Sequence, residues 1–244
     1  MPGNESLVRR NRLLLSVVIP VFNEARTIDE LVRRVLAVDL SPDVRKEIVI
    51  VDDGSTDETP ARIAAIHDSH ADLICLRHQR NRGKGAALRT GFAAASGDVV
   101  LVQDADLELD PADYSSLLEP ILSGAADVVY GSRFLGESMR GNGMLWLLAN
   151  RTLTGLTNAL CGTSLTDMET GFKVFRRRVF ESMTLQSDRF TIEPEITVKL
   201  ARRRVRIHEV PVKYDARSRA EGKHIGWMDG LAGMVAIVRY RCFD

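Results

Sequence analysis

Val99-Val-Leu-Val-Gln-Asp104-Ala-Asp106-Leu-Glu108-Leu-Asp-Pro111 is the stretch that decides the fold. Its apolar run has the length and β-branched content of a buried strand. The run then breaks into acidic residues at alternate positions, Asp104, Asp106 and Glu108. In an open α/β sheet, ligands bind beyond the carboxyl ends of the strands. Two carboxylates flanking one small residue there can hold a hard divalent cation, and such a cation can hold a diphosphate. The stretch reads equally well as an acidic loop capping the next helix. Asp110 and Pro111 supply an N-cap and a first helical position, and Asp-x-Asp is common in turns.

Upstream, strands and helices alternate. Leu13 to Val21 reads as a first strand, left through the turn Phe22-Asn23-Glu24. Thr27 followed by Glu30 predicts a capping box ahead of the helical stripe Ile28, Leu31, Val32, Val35. Glu47 to Val51 is a second strand, ending in the turn residues Asp52-Asp53-Gly54-Ser55-Thr56-Asp57. A helix to about His67 and a short strand Leu73 to Leu76 follow. Asn81-Arg82-Gly83-Lys84-Gly85 then precedes an alanine-rich helix. Glycines at a helix entry let backbone N–H groups approach an anion, but the loop matches neither phosphate-binding fingerprint and also reads as a flexible helix entry. The order β-α-β-α-β-α-β predicts an α/β fold, with a Rossmann-like, mostly parallel central sheet flanked by helices.

Downstream, Pro111 to Leu122 is a helix, and Asp127 to Tyr130 a strand leading to Gly131-Ser132-Arg133. From Gly136 the character changes. A loop to Gly143 precedes a helix from Met144 to Leu160. An acidic turn, Thr166-Asp167-Met-Glu169-Thr-Gly171, leads to a short strand Phe172 to Phe175. A helix Glu193 to Arg202 comes next, then a strand Val205 to Tyr214 with an edge or bend at Pro211. Arg217 to Lys223 is a charged loop before a last amphipathic helix, Trp227 to Tyr240. The expected layout is one domain: a tail 1–13, a half 14–135 with the Rossmann-like order and the strand-end carboxylates, and a half 136–244 with the amphipathic helices.

With 45% hydrophobic residues, the 244-residue chain can build a sizeable core. Lys+Arg and Asp+Glu are both 33, so net charge argues neither for nor against nucleic acid or membrane. Arg9, Arg10 and Arg12, Arg176 to Arg178, and Arg202 to Arg204 read singly as solvated faces and together as affinity for an anionic membrane. Cys75, Cys161 and Cys242 are far apart, which fits a reducing cytosol without a disulfide or zinc framework. No apolar stretch approaches the roughly 18 residues that span a bilayer, and the N-terminus lacks a signal pattern. A cytoplasmic, soluble or peripheral protein is expected.

Several motifs fall in a fixed order: Val-Ile-Pro-Val-Phe-Asn-Glu, Val-Asp-Asp-Gly-Ser-Thr-Asp, Asn-Arg-Gly-Lys-Gly, Asp-Ala-Asp and Gly-Ser-Arg-Phe, then Thr-Gly-Phe-Lys-Val-Phe-Arg-Arg and Glu-Val-Pro-Val. From about Leu14 onward the chain resembles the family-2 inverting glycosyltransferases of GT-A fold. Among them it looks most like the dolichyl- or polyprenyl-phosphate mannose synthases. The resemblance implies a metal-dependent hexosyltransferase that moves a sugar, mannose first, from a nucleotide sugar to a polyprenyl phosphate. It implies Pro20, Phe22, Glu24 and Asp52 around the base and ribose, with Lys84 near the nucleotide and Ala105 backing it. Asp104 and Asp106 would bind Mg²⁺ or Mn²⁺, with Glu108 as a further ligand where such synthases commonly carry Gln. Arg133 would meet the acceptor phosphate, Arg217 and Lys223 would close over the donor diphosphate, and Asp167 would orient sugar or acceptor. The arginine usual ahead of the long helix's Asn is not matched, Leu147 standing three residues before Asn150. Three alternatives stay open: a UDP-hexose donor, a soluble glycan acceptor, and a nucleotide-sugar-binding scaffold without turnover. Helices 144–160 and 227–240 are the candidates for peripheral contact with the cytoplasmic face of a membrane, alone or with a membrane partner protein. Nucleic acid is not an expected partner.

Overall fold

Leu15, Val17, Val18 and Ile19 are all fully buried, so the first strand is covered on both faces. That is the environment in which parallel sheets occur. The computed structural model describes residues 12–136, 139–140, 144–217 and 227–243. Strands β1 (Leu13–Val21), β2 (Val44–Asp52), β3 (Ile74–Arg77) and β4 (Val99–Val102) alternate with helices α1 (Ile28–Ala37), α2 (Thr59–Ser69) and α3 (Lys84–Ala94). A 3₁₀ turn, Pro111–Asp113, opens α4 (Tyr114–Leu122). Then come β5 (Val128–Ser132), β6 (Met139–Arg140), α5 (Met144–Cys161), β7 (Lys173–Arg176) and α6 (Arg177–Glu181). The chain closes with α7 (Ile192–Arg202), β8 (Ile207–Pro211), β9 (Tyr214–Asp215) and α8 (Trp227–Cys242).

Seven strands form one sheet in the order β3-β2-β1-β4-β7-β5-β8, and β6 pairs with β9. The sheet is mixed: β7 lies antiparallel between β4 and β5, whereas the pairs β1–β2, β1–β4, β2–β3 and β5–β8 are parallel. This inversion positions the site. An antiparallel strand begins where its neighbours end, and Lys173 at the start of β7 pairs with Val102 at the end of β4. The turn before β7 is thereby delivered to the edge that carries Asp104.

The strands' alternation splits the core into two layers. Leu15, Val17 and Ile19 pack with Ile28, Leu31, Ile63, Leu117 and Ile121. Val18, Val49 and Val100 pack with Leu88, Phe92, Leu153, Ile196 and Ile237 on the other side.

Local expectations met two corrections. Thr27 makes no side-chain cap; its hydroxyl donates to Glu24 Oε2 at 2.7 Å, and Glu30 is drawn to Arg33 and Arg34. Arginines three and four residues on compete successfully for that carboxylate. The strand expected over 205–214 is two pieces, ended at Pro211, which lacks an N–H and stands on the sheet's edge. At Asp110 the expected cap is present, its side chain accepting from Ala112 N at 3.0 Å.

Candidate active site

A cavity of about 970 Å³ opens at the carboxyl ends of β1 and β4. Its walls include Pro20, Phe22, Glu24, Lys84, Asp104, Ala105, Asp106, Glu108, Arg133 and Arg217. Asp53 also lines it, whereas Asp52 does not. Asp52 is buried, accepting from Ser55 N at 2.9 Å and facing Arg77 Nε at 3.0 Å. Asp53 accepts from the backbone N–H groups of Arg82 and Gly83, the latter at 2.6 Å, and so fixes the loop carrying Lys84. Gly83 has φ +103°, and a Cβ there would lie 2.4 Å from Asp188 O, so glycine is required. Lys223, the expected second cation of the basic segment, lies outside the described residues.

Two groups of charges meet at this cavity. The first is the turn after β4. Asp104 Oδ1 lies 2.7 Å from Lys84 Nζ, and Asp106 Oδ2 lies 3.4 Å from Arg217 Nη2. Arg217 also holds Glu24 through both terminal nitrogens, at 3.0 and 2.8 Å. Burial, with Asp104 and Glu108 close by, pushes the Asp106 carboxyl up to about 7. Leu107 between them has φ +62°, a left-handed conformation costly for a branched residue.

The expected three-carboxylate ligand set is not assembled among the described residues. Glu108 lines the cavity with both oxygens engaged: its Oε2 accepts from Tyr214 Oη at 2.7 Å and its Oε1 from Arg217 N at 2.9 Å. Those donors come from the segment after β8, which the sequence places a hundred residues away. Asp104 and Asp106 remain, both partly exposed to the cavity, as the pair that could hold a cation.

The second group follows β5 and precedes β7. Arg133 donates from Nε and Nη2 to the two oxygens of Asp167, each at 2.7 Å. Its guanidinium lies over Trp146 and Tyr214, 4.9 and 5.2 Å from the ring centroids. Burial opposes its charge, but Asp167 more than compensates and raises its proton affinity. Asp167 also takes Asn150 Nδ2 at 3.3 Å, and Glu209 accepts from the backbone N–H groups of Thr166 and Asp167. Gly171 joins the two groups, since a Cβ there would stand 2.1 Å from Asp104 Oδ2.

Between them runs an ion chain absent from the sequence expectations. Lys84 bridges Asp104 and Glu193, and Glu193 in turn meets Lys173. Burial works against Lys84's charge, and Asp104 with Glu193 overrules it, holding the amine protonated. Glu193 sits in α7, whose residues from Ile192 to Leu200 are all buried, and a buried carboxylate needs a partner. The arginine triplets split into roles: Arg177 donates to Gly97 O and Ala95 O, and Arg178 pairs with Asp127.

The sequence model of Glycosyl transferase family 2 matches residues 16–184. The chain belongs to that family. This family-2 chain is 32% identical over 208 residues to "Glycosyltransferase AglD" of Haloferax volcanii, covering 83% of this chain and 33% of that protein. It is 32% identical over 211 residues to the undecaprenyl-phosphate 4-deoxy-4-formamido-L-arabinose transferase of Edwardsiella ictaluri, covering 86% of this chain and 62% of the relative. The chain thus spans about a third to under two thirds of these relatives' lengths. Glucosyl-3-phosphoglycerate synthase from Mycobacterium tuberculosis, solved with Mn²⁺, UDP-glucose and phosphoglyceric acid, shares the fold. The TM-score is 0.71 at 22% identity, covering 94% of this chain and 80% of that one. The GT-A fold expected of a family-2 member is therefore the one observed.

Proposed function

We propose that this family-2 chain transfers a hexosyl group from a nucleotide sugar to a polyprenyl phosphate, inverting the anomeric centre. The observation that carries the proposal is the convergence, in the lining of one cavity, of a carboxylate pair, Asp104 and Asp106, and a rigidly held arginine, Arg133. Polyprenyl phosphate as acceptor is supported by the relative that acts on undecaprenyl phosphate. GDP-mannose is the first donor to test and UDP-glucose the second.

A divalent cation, Mg²⁺ or Mn²⁺, fits the carboxylate pair, two hard oxygen donors one residue apart that are partly exposed to the cavity. Held by Asp104 and Asp106, it would supply Lewis-acid neutralisation of the departing diphosphate. Lys84 and Arg217 add fixed positive charge on the same side. Pro20, Phe22 and Glu24 receive the nucleoside, with Asp53 steadying the Lys84 loop. Arg133 positions the acceptor phosphate, and Asp167 acts by orienting Arg133. A phosphate monoester is already anionic at neutral pH, its second pKa being about 6. It needs positioning more than deprotonation, so both Asp167 oxygens can remain committed to the arginine.

Among the described residues no helix is long and apolar enough to cross a membrane. Peripheral contact is supported by α8, where Met228, Leu231, Val235 and Val238 are exposed in one stripe beside Arg239 and Arg241.

The test is transfer of labelled sugar from GDP-mannose or UDP-glucose to polyprenyl phosphate in vesicles with Mn²⁺. Label should enter the organic phase, and Asp104→Asn with Asp106→Asn should lower transfer at least a thousandfold. Label found only in a water-soluble product would move the acceptor to a soluble phosphate or glycan. Donor binding without transfer or hydrolysis would make the chain a binding module.

A further inference from the structure

Glu169 is the one carboxylate of the cavity's acidic turn that the transfer scheme leaves unused. It lines the cavity, and its Oε1 is shut off from water without a hydrogen-bond partner. Two cations, Lys173 and Arg133, act on its charge, yet neither donates to Oε1. Lys173 Nζ donates to Met168 O, Thr170 O and Glu193 Oε2, and an ammonium has three protons to give. Arg133 turns Nε and Nη2 to Asp167. The backbone around Glu169 is pinned as well, by Glu209 at Thr166 and Asp167 and by the Thr170 hydroxyl at Gly131 O. Leaving a buried acceptor unsatisfied is costly, more so when it is charged. Burial and Glu193 push its carboxyl up to about 7, as expected of an acid short of donors.

Its place in the turn says which donor is missing. Two residues before it, Asp167 holds the arginine assigned to the acceptor phosphate. Two residues after it, Gly171 packs against Asp104 on the cation side. In the transfer reading the hexose lies between the leaving diphosphate and the attacking phosphate, and Glu169, in the turn that links those two sides, lines the same cavity. Both phosphates are anionic and would be repelled by a carboxylate. The substrate part that joins those two phosphates, the hexose, is uncharged and rich in O–H donors.

We propose that Glu169 anchors the donor sugar, its carboxyl accepting hydrogen bonds from hydroxyls of the transferred hexosyl group. The proposal rests on the transfer reading above. The terminal torsion of a Glu side chain is soft, so either oxygen can turn to a hydroxyl once the sugar enters.

Calorimetry with Mn²⁺ separates sugar recognition from nucleotide recognition. Wild type, Glu169→Ala and Glu169→Gln are titrated with GDP-mannose, GDP, UDP-glucose and UDP, and with monodeoxy analogues of whichever sugar nucleotide binds. Glu169→Ala should bind the nucleoside diphosphate within twofold of wild type and lose about tenfold or more for the sugar nucleotide. Wild type should lose a similar factor on at least one deoxy analogue, and Glu169→Ala should no longer discriminate at that position. Glu169→Gln preserves volume and one acceptor oxygen, so it should bind between the two, and it carries the deoxy comparison if the alanine variant does not fold. Unchanged sugar-nucleotide affinity, or unchanged deoxy discrimination in the variants, overturns the anchor and leaves the transfer reading standing. Wild type that binds none of the four ligands overturns both.

Discussion

The turn after β4 and the turn before β7 carry acidic residues at similar spacing, Asp104-Ala-Asp106 and Asp167-Met-Glu169, yet they are electrostatic opposites. After β4 the carboxylates crowd one another, keep partial exposure, and meet Lys84 and Arg217 at the cavity's rim. Before β7 the acid is buried and spent on Arg133 through two 2.7 Å bonds. The first turn has an excess of negative charge and suits a diffusible cation. The second commits Asp167 to a cation of its own, so its Arg133 side suits an anion, while Glu169 keeps an unpartnered oxygen. The same residue type gives opposite specificity because burial and built-in partners decide which charge is left over.

The comparison breaks most visibly at Arg133. Arg133→Ala should cut transfer by about a thousandfold or more and, by stranding buried Asp167, destabilise the fold by about 3–5 kcal/mol. Arg133→Lys should keep the charge but lose the fork geometry, lowering activity with a smaller stability loss. Steady-state kinetics and denaturant melts read both, and an active alanine variant would remove the acceptor role. Next is Gly171→Ala. Its Cβ would stand 2.1 Å from Asp104 Oδ2, so the carboxylate must move. About a hundredfold loss of transfer is expected with raised Mn²⁺ requirement, since displacement of about 1 Å in a catalytic site has that scale.

Acidity sharpens the contrast. Cation binding needs Asp106 ionised, and its carboxyl stands at about 7 rather than the usual 3.8. Mn²⁺ affinity should therefore rise about tenfold between pH 6 and pH 8. Without cation the sign for stability is reversed. The folded chain holds a proton there that the unfolded chain has released, so this contribution is full below about 3.8 and is lost as pH rises through about 7. Asp106→Asn should flatten the melting temperature of cation-free protein across that window, and a slope unchanged by the substitution would reject the account. The smallest effect is expected at Glu108. Bound to Tyr214 and to Arg217 N rather than to the cation corner, it should tolerate Glu108→Gln within about threefold, with unchanged metal preference. A shift in metal preference on that substitution would restore Glu108 as a ligand.

Much of this site was legible in the chain. The strand at 99–102 and the acids after it, the glycine loop before Lys84, and the helix capped at Asp110 follow from local pattern alone. Glu193, Trp146 and Tyr214 were not marked, because nothing near them in sequence names Lys84, Lys173 or Arg133 as their partners. The capping box at Thr27 misled for the converse reason: the local pattern was correct, but Arg33 and Arg34 won the carboxylate.

The sequence by itself determined the α/β alternation, the family and the corner where the strand ends place Asp104 and Asp106, since periodicity and turn chemistry are local. Only the tertiary structure decided that β7 runs antiparallel between β4 and β5. That single inversion brings Asp167, Glu169 and Gly171 against a turn some sixty residues earlier in the chain. It also decided that the acidic triplet is not one ligand set. All three line the cavity, but Glu108 is engaged by Tyr214 Oη and Arg217 N, because a hydroxyl and a backbone N–H from a distant segment satisfy its charge as two neighbouring carboxylates cannot.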